Sequence, residues 1–173
     1  MNSIHLIKGD NAKAKVDAIV NAANPKLLGG GGVDGAIHRA AGSELLAACF
    51  AMEAINGRRC GYGDAKITCA GNLEARFVIH AVGPIYSKFA EPQKVLVSAY
   101  KRTLDLAIEH QCKTIALPAI SFGVYGYPAR EAATVALSVC SQPEYSELEM
   151  SFYLFDEEML HIWQGILDSL GYE

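Results

Sequence analysis

The sequence predicts an α/β fold with helices on both faces of a largely parallel sheet. Three observations predict it. Short apolar runs of strand length alternate with apolar stripes at three- and four-residue steps. Glycine-rich stretches stand where an apolar run gives way to a helical stripe. No internal repeat, linker or low-complexity run divides the 173 residues, so 1–173 reads as one domain.

Taken in order, Ile4 to Ile7 reads as a strand ended by Lys8-Gly9-Asp10. Asp10 can cap a turn, or its carboxylate can accept from an exocyclic amine such as adenine N6. Val16 to Val20 reads as a buried strand. It leads into Asn21-Ala22-Ala23-Asn24 and then four consecutive glycines, Gly29 to Gly32, before Val33-Asp34-Gly35. Four glycines are costly to order. The return is a loop whose N–H groups can approach a ligand closely, and a glycine turn that opens a helix has the form of a phosphate cradle. Asn24 and Asp34 flank that concavity. Ile37, Ala41, Leu45, Ala48 and Met52 predict one amphipathic helix of about five turns. His38 and Arg39 fall off its stripe and read as a packing or surface residue and a solvated one.

Asn56-Gly57 closes the helical region. Lys66 to Ala70 and Arg76 to Pro84 read as strands, with His80 a hydrogen-bonded core residue. Leu96, Ala99, Tyr100, Thr103, Leu104, Ala107 and Ile108 form the next helical stripe. Lys113 to Ile120 is a strand that ends in a second glycine-bearing loop, Ser121-Phe122-Gly123-Val124-Tyr125-Gly126. Pro128 suits the first turn of a helix. Met150 to Phe155 alternates as the last strand. Asp156 is a good N-cap for a helix striped by Met159, Ile162, Trp163, Ile166, Leu167 and Leu170, and Gly171 stops it.

Composition narrows the function classes. Lys plus Arg is 15 against 19 Asp plus Glu, a net charge of −4, which argues against a broad basic nucleic-acid surface. It leaves a nucleotide possible, since backbone amides hold a diphosphate without lysines. The 5 cysteines show no C-x-x-C, and no H-E-x-x-H appears, so no metal site is expected. No G-x-S-x-G supports an acyl-enzyme route. No apolar run reaches membrane-span length, and no secretory pattern opens the chain, where His5 and Lys8 interrupt the apolar residues. The expectation is a cytoplasmic protein.

Val20 to Asn24 and Gly29 to Gly42 resemble, letter for letter, the V-N-A-A-N and G-G-G-G-V-D-G-A-I-H-R-A-A-G of the macrodomain family, in its MacroD-type branch. The likeness covers nearly the whole chain. Val78 to Pro84 is similar to V-I-H-x-V-G-P, and Ala119 to Pro128 to A-I-S-x-G-V-[YF]-G-Y-P. The resemblance implies a three-layer α/β/α domain around a mixed, largely parallel sheet. It implies ADP-ribose as ligand, with O-acetyl-ADP-ribose and ADP-ribosylated proteins as substrates, and nucleic acid only as an ADP-ribosylated substrate. The implied reaction is metal-independent hydrolysis of an ester at the distal ribose, in a monomer with no cofactor.

Asn24 and Asp34 take the catalytic positions, Asp34 as base or as orienting group for a water. Asp10, Asn11, Ala22, Gly30, Gly31, Gly32, Val33, Ser121, Phe122, Gly123, Val124, Tyr125 and Phe155 take the ligand positions. Phe155 matches an aromatic that stacks on adenine, and a core role for it stays open. The chain departs from the family at Asn11, where G-D-I-T has a hydrophobe, at Tyr62 within the C-P-T-G-E-A turn, and at Phe122, where Thr is usual. Those departures keep a non-catalytic ADP-ribose reader as the alternative. A nicotinamide oxidoreductase fits G-x-G-x-x-G at Gly30 to Gly35 only loosely, because the first strand-to-helix turn lacks the glycines.

Overall fold

A computed structural model describes residues 3–171. Six strands form one sheet: β1 (Ser3–Lys8), β2 (Ala18–Ala22), β3 (Ala65–Cys69), β4 (Phe77–Ala81), β5 (Thr114–Leu117) and β6 (Glu149–Leu154). Their spatial order is β1-β6-β5-β2-β4-β3. All neighbours are parallel except β3 and β4, whose antiparallel register sets Ala65 opposite Ala81. The sheet is therefore mixed and largely parallel.

Strand periodicity assigns the two faces. In β2, Ile19 packs with α1 (Gly32–Ala41) and α2 (Ser43–Phe50) through Leu27, Ile37, Leu45 and Val78. Ala18 and Val20 face the other way, into a larger core with α3 (Pro92–Glu109), α4 (Ala129–Cys140) and α5 (Glu157–Ser169). Trp163, Tyr100 and Phe152 are fully buried there, the rings of Phe152 and Trp163 4.9 Å apart. Burying an aromatic of this size contributes about 1.5–3 kcal/mol. Asp156 caps α5 by accepting from Met159 N–H at 2.9 Å, and Gly171 ends it at φ 88°.

The single helix expected from Ile37 to Met52 is two helices. Gly42 stands between them at φ 82°, capping α1 with an N–H to His38 O at 3.0 Å. The turn at 70–72 docks on the break, where Asn72 N–H donates to Ala41 O at 2.8 Å. Gly71 passes so close to Ala41 O that a methyl group there would overlap it. The apolar stripe continues across the bend because both segments cover the same face of the sheet. The sequence signal for the bend was the glycine itself, which only a left-handed φ explains.

His80 in β4 is fully buried. Desolvation, with a smaller contribution from His38, pulls its pKa down from 6.5 to about 3. The folded state therefore refuses a proton that the unfolded chain accepts as the pH falls through 6.5, so stability is lost on acidification. Between pH 7 and about pH 5.5 this one group withdraws about 1 kcal/mol. Urea denaturation at the two pH values should show that loss in the wild type, and His80→Gln should show a correspondingly smaller pH dependence.

Candidate functional site

β1, β2, β4, β5 and β6 run parallel, so their carboxyl ends share one edge of the sheet. Ligands of open α/β sheets bind at that edge. A cavity of about 800 Å³ opens there, lined from the strand ends and from the loops that follow them.

The loop between β2 and α1 is held by its own side chains. Asn24 Oδ1 accepts from Lys26 N–H at 3.1 Å and Leu27 N–H at 3.2 Å, and Asn24 Nδ2 donates to Gly29 O at 3.2 Å. Leu27 sits at φ 60° with its side chain in the core, only 1 % exposed. Anchored this way, Gly30, Gly31, Gly32 and Val33 line the cavity at the amino end of α1. Unpaired amides and the helix dipole make that end an anion site. Gly35 lets the loop lie against the first helical turn, since a Cβ there would stand 2.5 Å from Gly30 O and 2.9 Å from an Arg39 Nη1.

Asp34 is 4 % exposed and faces the cavity from α1. Its Oδ1 accepts from Asn21 Nδ2 at 2.8 Å. Asn21 Nδ2 also lies 3.2 Å from His80 Nδ1, and His80 Nε2 lies 2.9 Å from Thr68 Oγ1. One reading satisfies the row: Asn21 donates to both Asp34 and His80, and His80 carries its proton on Nε2 and donates to Thr68. Desolvation raises the Asp34 pKa above its ordinary 3.8, while the Asn21 hydrogen bond and the His38 ring oppose the rise. His38 Nε2 is 3.4 Å from Asp34 Oδ1, one helical turn along. Asp34 Oδ2 and Asn24 Nδ2 both lie where a Gly30 side chain would stand: a Cβ there would be 3.2 Å from the first and 3.4 Å from the second.

The loop after β5 forms the facing wall with Ser121, Phe122, Gly123, Val124 and Tyr125. Ser121 adopts φ 66°, strained for a side-chain-bearing residue. Its hydroxyl donates to Pro84 O at 2.8 Å, which ties the loop to the end of β4. Val124 is 99 % exposed, and Gly126 at φ 73° closes the turn through an N–H to Gly123 O at 2.9 Å. Desolvation raises the Tyr125 pKa, with smaller contributions from Tyr62 and Asp34. At the far end Asp10, Tyr153 and Phe155 line the cavity from β1 and β6, and Phe155 is 83 % exposed. Asp10 Oδ1 accepts from Ala12 N–H at 2.9 Å, so it caps a turn while its carboxylate borders the cavity.

Of the residues expected here, all but Asn11 line one cavity. Asn11 is 2 % exposed and turned inward, donating through Nδ2 to Val20 O at 2.8 Å and approaching Ala116 O at 3.5 Å. Where the resemblance implies a hydrophobe, this amide instead bridges the main chains of β2 and β5. The side chains of Asn24 and Ser121 are spent largely on the loops. Two neighbours of Asp34 escaped the sequence reading, Asn21 and His38. Each had a signal: Asn21 is a polar residue inside a buried strand and needs a partner, and His38 stands four residues after Asp34 on one helix. Among the described residues no group of three His, Cys, Asp or Glu side chains could hold a metal. No helix among them is long and apolar enough to cross a membrane.

The Macro domain family model matches residues 20–136. A macro domain-containing protein of Vibrio parahaemolyticus is 66% identical over 167 residues, covering 96% of this chain and 98% of that one. A protein of Enterobacter cloacae named O-acetyl-ADP-ribose deacetylase is 49% identical over 178 residues, covering 98% and 96%. The Oceanobacillus iheyensis macrodomain solved with ADP superposes with a TM-score of 0.92 at 41% identity, covering 98% of this chain and 92% of that one.

The raised Asp34 pKa fixes the sign of a stability effect. The folded state holds the Asp34 proton more tightly than the unfolded chain, so stability falls as the pH rises from 3.8 through the folded value. Asp34→Asn removes that cost and keeps an acceptor for Asn21. Its melting temperature should exceed that of the wild type at pH 7, and the difference should vanish below pH 3.8.

Proposed function

The chain belongs to the Macro domain family, and from that premise we propose that it binds ADP-ribose and hydrolyses esters at the distal ribose. Its substrates are O-acetyl-ADP-ribose and mono-ADP-ribosyl esters of Asp and Glu side chains. The observation that carries the reading is the buried Asp34 carboxylate at the amino end of a glycine-opened helix, with the Asn24 amide beside it in the space a Gly30 side chain would take. The relatives point the same way: one is named a deacetylase of this substrate, and a macrodomain of the same fold was solved with ADP.

The cavity accommodates the ligand in one direction. Adenine lies against Phe155, with its exocyclic amine toward Asp10. The diphosphate sits between Gly30 to Val33 and Gly123 to Tyr125, held by main-chain N–H groups that carry no counter-charge of their own. The distal ribose then meets Asn24 and Asp34, with Tyr125 as its outer wall. Asn24 has one amide hydrogen left after its bond to Gly29 O, available to a ribose hydroxyl.

A water held by Asp34 attacks the acyl carbonyl carbon. The bond between that carbon and the ribose oxygen breaks, and the ribose oxygen takes up the proton that the water gives to Asp34. The acid is released and ionises in solvent. A carboxylate of ordinary pKa is a weak base at neutral pH, and desolvation makes Asp34 a stronger one. Asn21 holds one of its oxygens, so the other faces the substrate.

Asp34→Ala should lower kcat for O-acetyl-ADP-ribose by at least about 100-fold. Calorimetry should find its ADP-ribose affinity within a few-fold of the wild type. Tight binding by the wild type with no turnover of either ester would make the chain a reader instead. Gly35→Ala should weaken ADP-ribose binding by about tenfold, or about 1.4 kcal/mol, because the methyl group displaces Gly30 and the amides beside it.

A further inference from the structure

The cavity runs along the strand order, from an adenine end at β1 and β6 to a distal end at β2 and β4. The next strand in line is β3, which runs the opposite way, so its start at Ala65 lies beside the carboxyl end of β4. The segment leading into β3 therefore stands at the same edge of the sheet, just beyond the distal end. Gly63 N–H donates to Val82 O at 2.7 Å and Val82 N–H to Asp64 O at 3.0 Å, which ties the segment to the end of β4, where Ala81 and Gly83 line the cavity. From the distal end of the cavity, this segment is the next surface along the strand order.

What the segment presents is specific. Ile55 and Arg58 exchange two backbone hydrogen bonds, Ile55 N–H to Arg58 O at 2.9 Å and Arg58 N–H to Ile55 O at 3.1 Å. Asn56 and Gly57 between them have φ 54° and 77°, the geometry of a tight hairpin turn. The Arg58 guanidinium lies over the Tyr62 ring at 5.5 Å, and the Arg59 guanidinium over the Phe50 ring at 5.3 Å. Stacking holds each guanidinium; the exposed Arg58 keeps N–H groups at its edge for a carboxylate, while Arg59 has its Nε buried and its Nη1 turned to the main chain. Arg59 also donates to the backbone carbonyl of Lys26 at 3.0 Å, so the main chain at Lys26 borders the same face. Among the described residues no carboxylate pairs with Lys26, Arg58 or Arg59. Phe50 is 66 % exposed and Ile55 69 %. Unpaired cations and bare apolar side chains thus gather at one end of a chain whose net charge is −4.

We propose that this face, formed by Phe50, Ile55, Arg58, Arg59 and Lys26, docks the acidic polypeptide segment that carries the ADP-ribosyl ester. The proposal rests on the hydrolase reading and adds to it the sequence context of the protein substrate, further carboxylates beside the modified one. A carboxyl-linked modification sits on Asp or Glu, and a segment with further carboxylates beside the modified one meets the arginines as it leaves the cavity. O-acetyl-ADP-ribose ends in a methyl group and does not reach them.

The test compares two substrates: O-acetyl-ADP-ribose, and a synthetic Glu-rich peptide with one Glu esterified to ADP-ribose. Arg58→Glu should raise KM for the peptide ester by about tenfold, since it removes one attraction and adds one repulsion. Ile55→Ala should raise it by about threefold through lost apolar contact. Both variants should turn over O-acetyl-ADP-ribose within twofold of the wild type, which also reports intact folding, and Arg58→Lys should recover part of the peptide KM. Equal changes on both substrates, no change on the peptide, or a wild type that hydrolyses only O-acetyl-ADP-ribose would overturn the docking face and leave the hydrolase reading standing. A larger Arg58→Glu effect on an ADP-ribosylated oligonucleotide than on the peptide would overturn it too. A wild type that hydrolyses neither ester removes the hydrolase reading, and the docking face with it.

Discussion

The hydrogen bond from Asn21 to Asp34, 2.8 Å long and almost fully buried, is the constraint around which the site is arranged. It joins the end of β2 to the first turn of α1 across the whole glycine loop. A buried carboxylate is expensive unless hydrogen-bonded, and a charge-assisted bond of this kind contributes roughly 1.5–3 kcal/mol. Asn21 is itself fixed from behind by His80 and Thr68, so the row reaches from the cavity into the β3–β4 edge of the sheet. With Asp34 held there, the loop between has to fold over it: only glycine leaves room at 35, and a Cβ at 30 would crowd the Asp34 carboxylate at 3.2 Å.

The two loops that face each other across the cavity solve the same problem by the same means. Each spends polar side chains on backbone groups: Asn24 on three of its own loop, Ser121 on Pro84 O of the segment after β4. Each places one side-chain-bearing residue in a left-handed conformation, Leu27 and Ser121. The main-chain amides are then free and fixed, as a diphosphate requires. That explains how an acidic chain with no lysine lining the cavity can present an anion site. The binding surface is backbone, and side chains hold its shape.

Much of this was legible in the residues. The alternation of apolar runs and helical stripes gave six strands in their right places, because short buried strands and amphipathic helices have different periods. Asp156 read as an N-cap and is one, since capping is local. Local signals fail where long-range packing decides. The stripe from Ile37 to Met52 looked continuous because the break at Gly42 leaves both halves on one face of the sheet. Asn11 looked like a ligand neighbour by its position after Asp10, yet the backbone turns it into the gap between β2 and β5. His38 looked like a packing residue because its distance to Asp34 depends on where the helix begins, and the glycines hid that start. The cavity itself was visible only as a set of loops, whose convergence follows from the strand order.

A crystal structure of the protein with ADP-ribose bound tests the central claim most directly. The account predicts the diphosphate on the amides of Gly30 to Val33 and Gly123 to Tyr125, with the distal ribose within hydrogen-bond reach of Asp34 and Asn21 still bonded to it. A ligand seated elsewhere, or an Asp34 carboxylate released from Asn21 and turned away from the ribose, would contradict it.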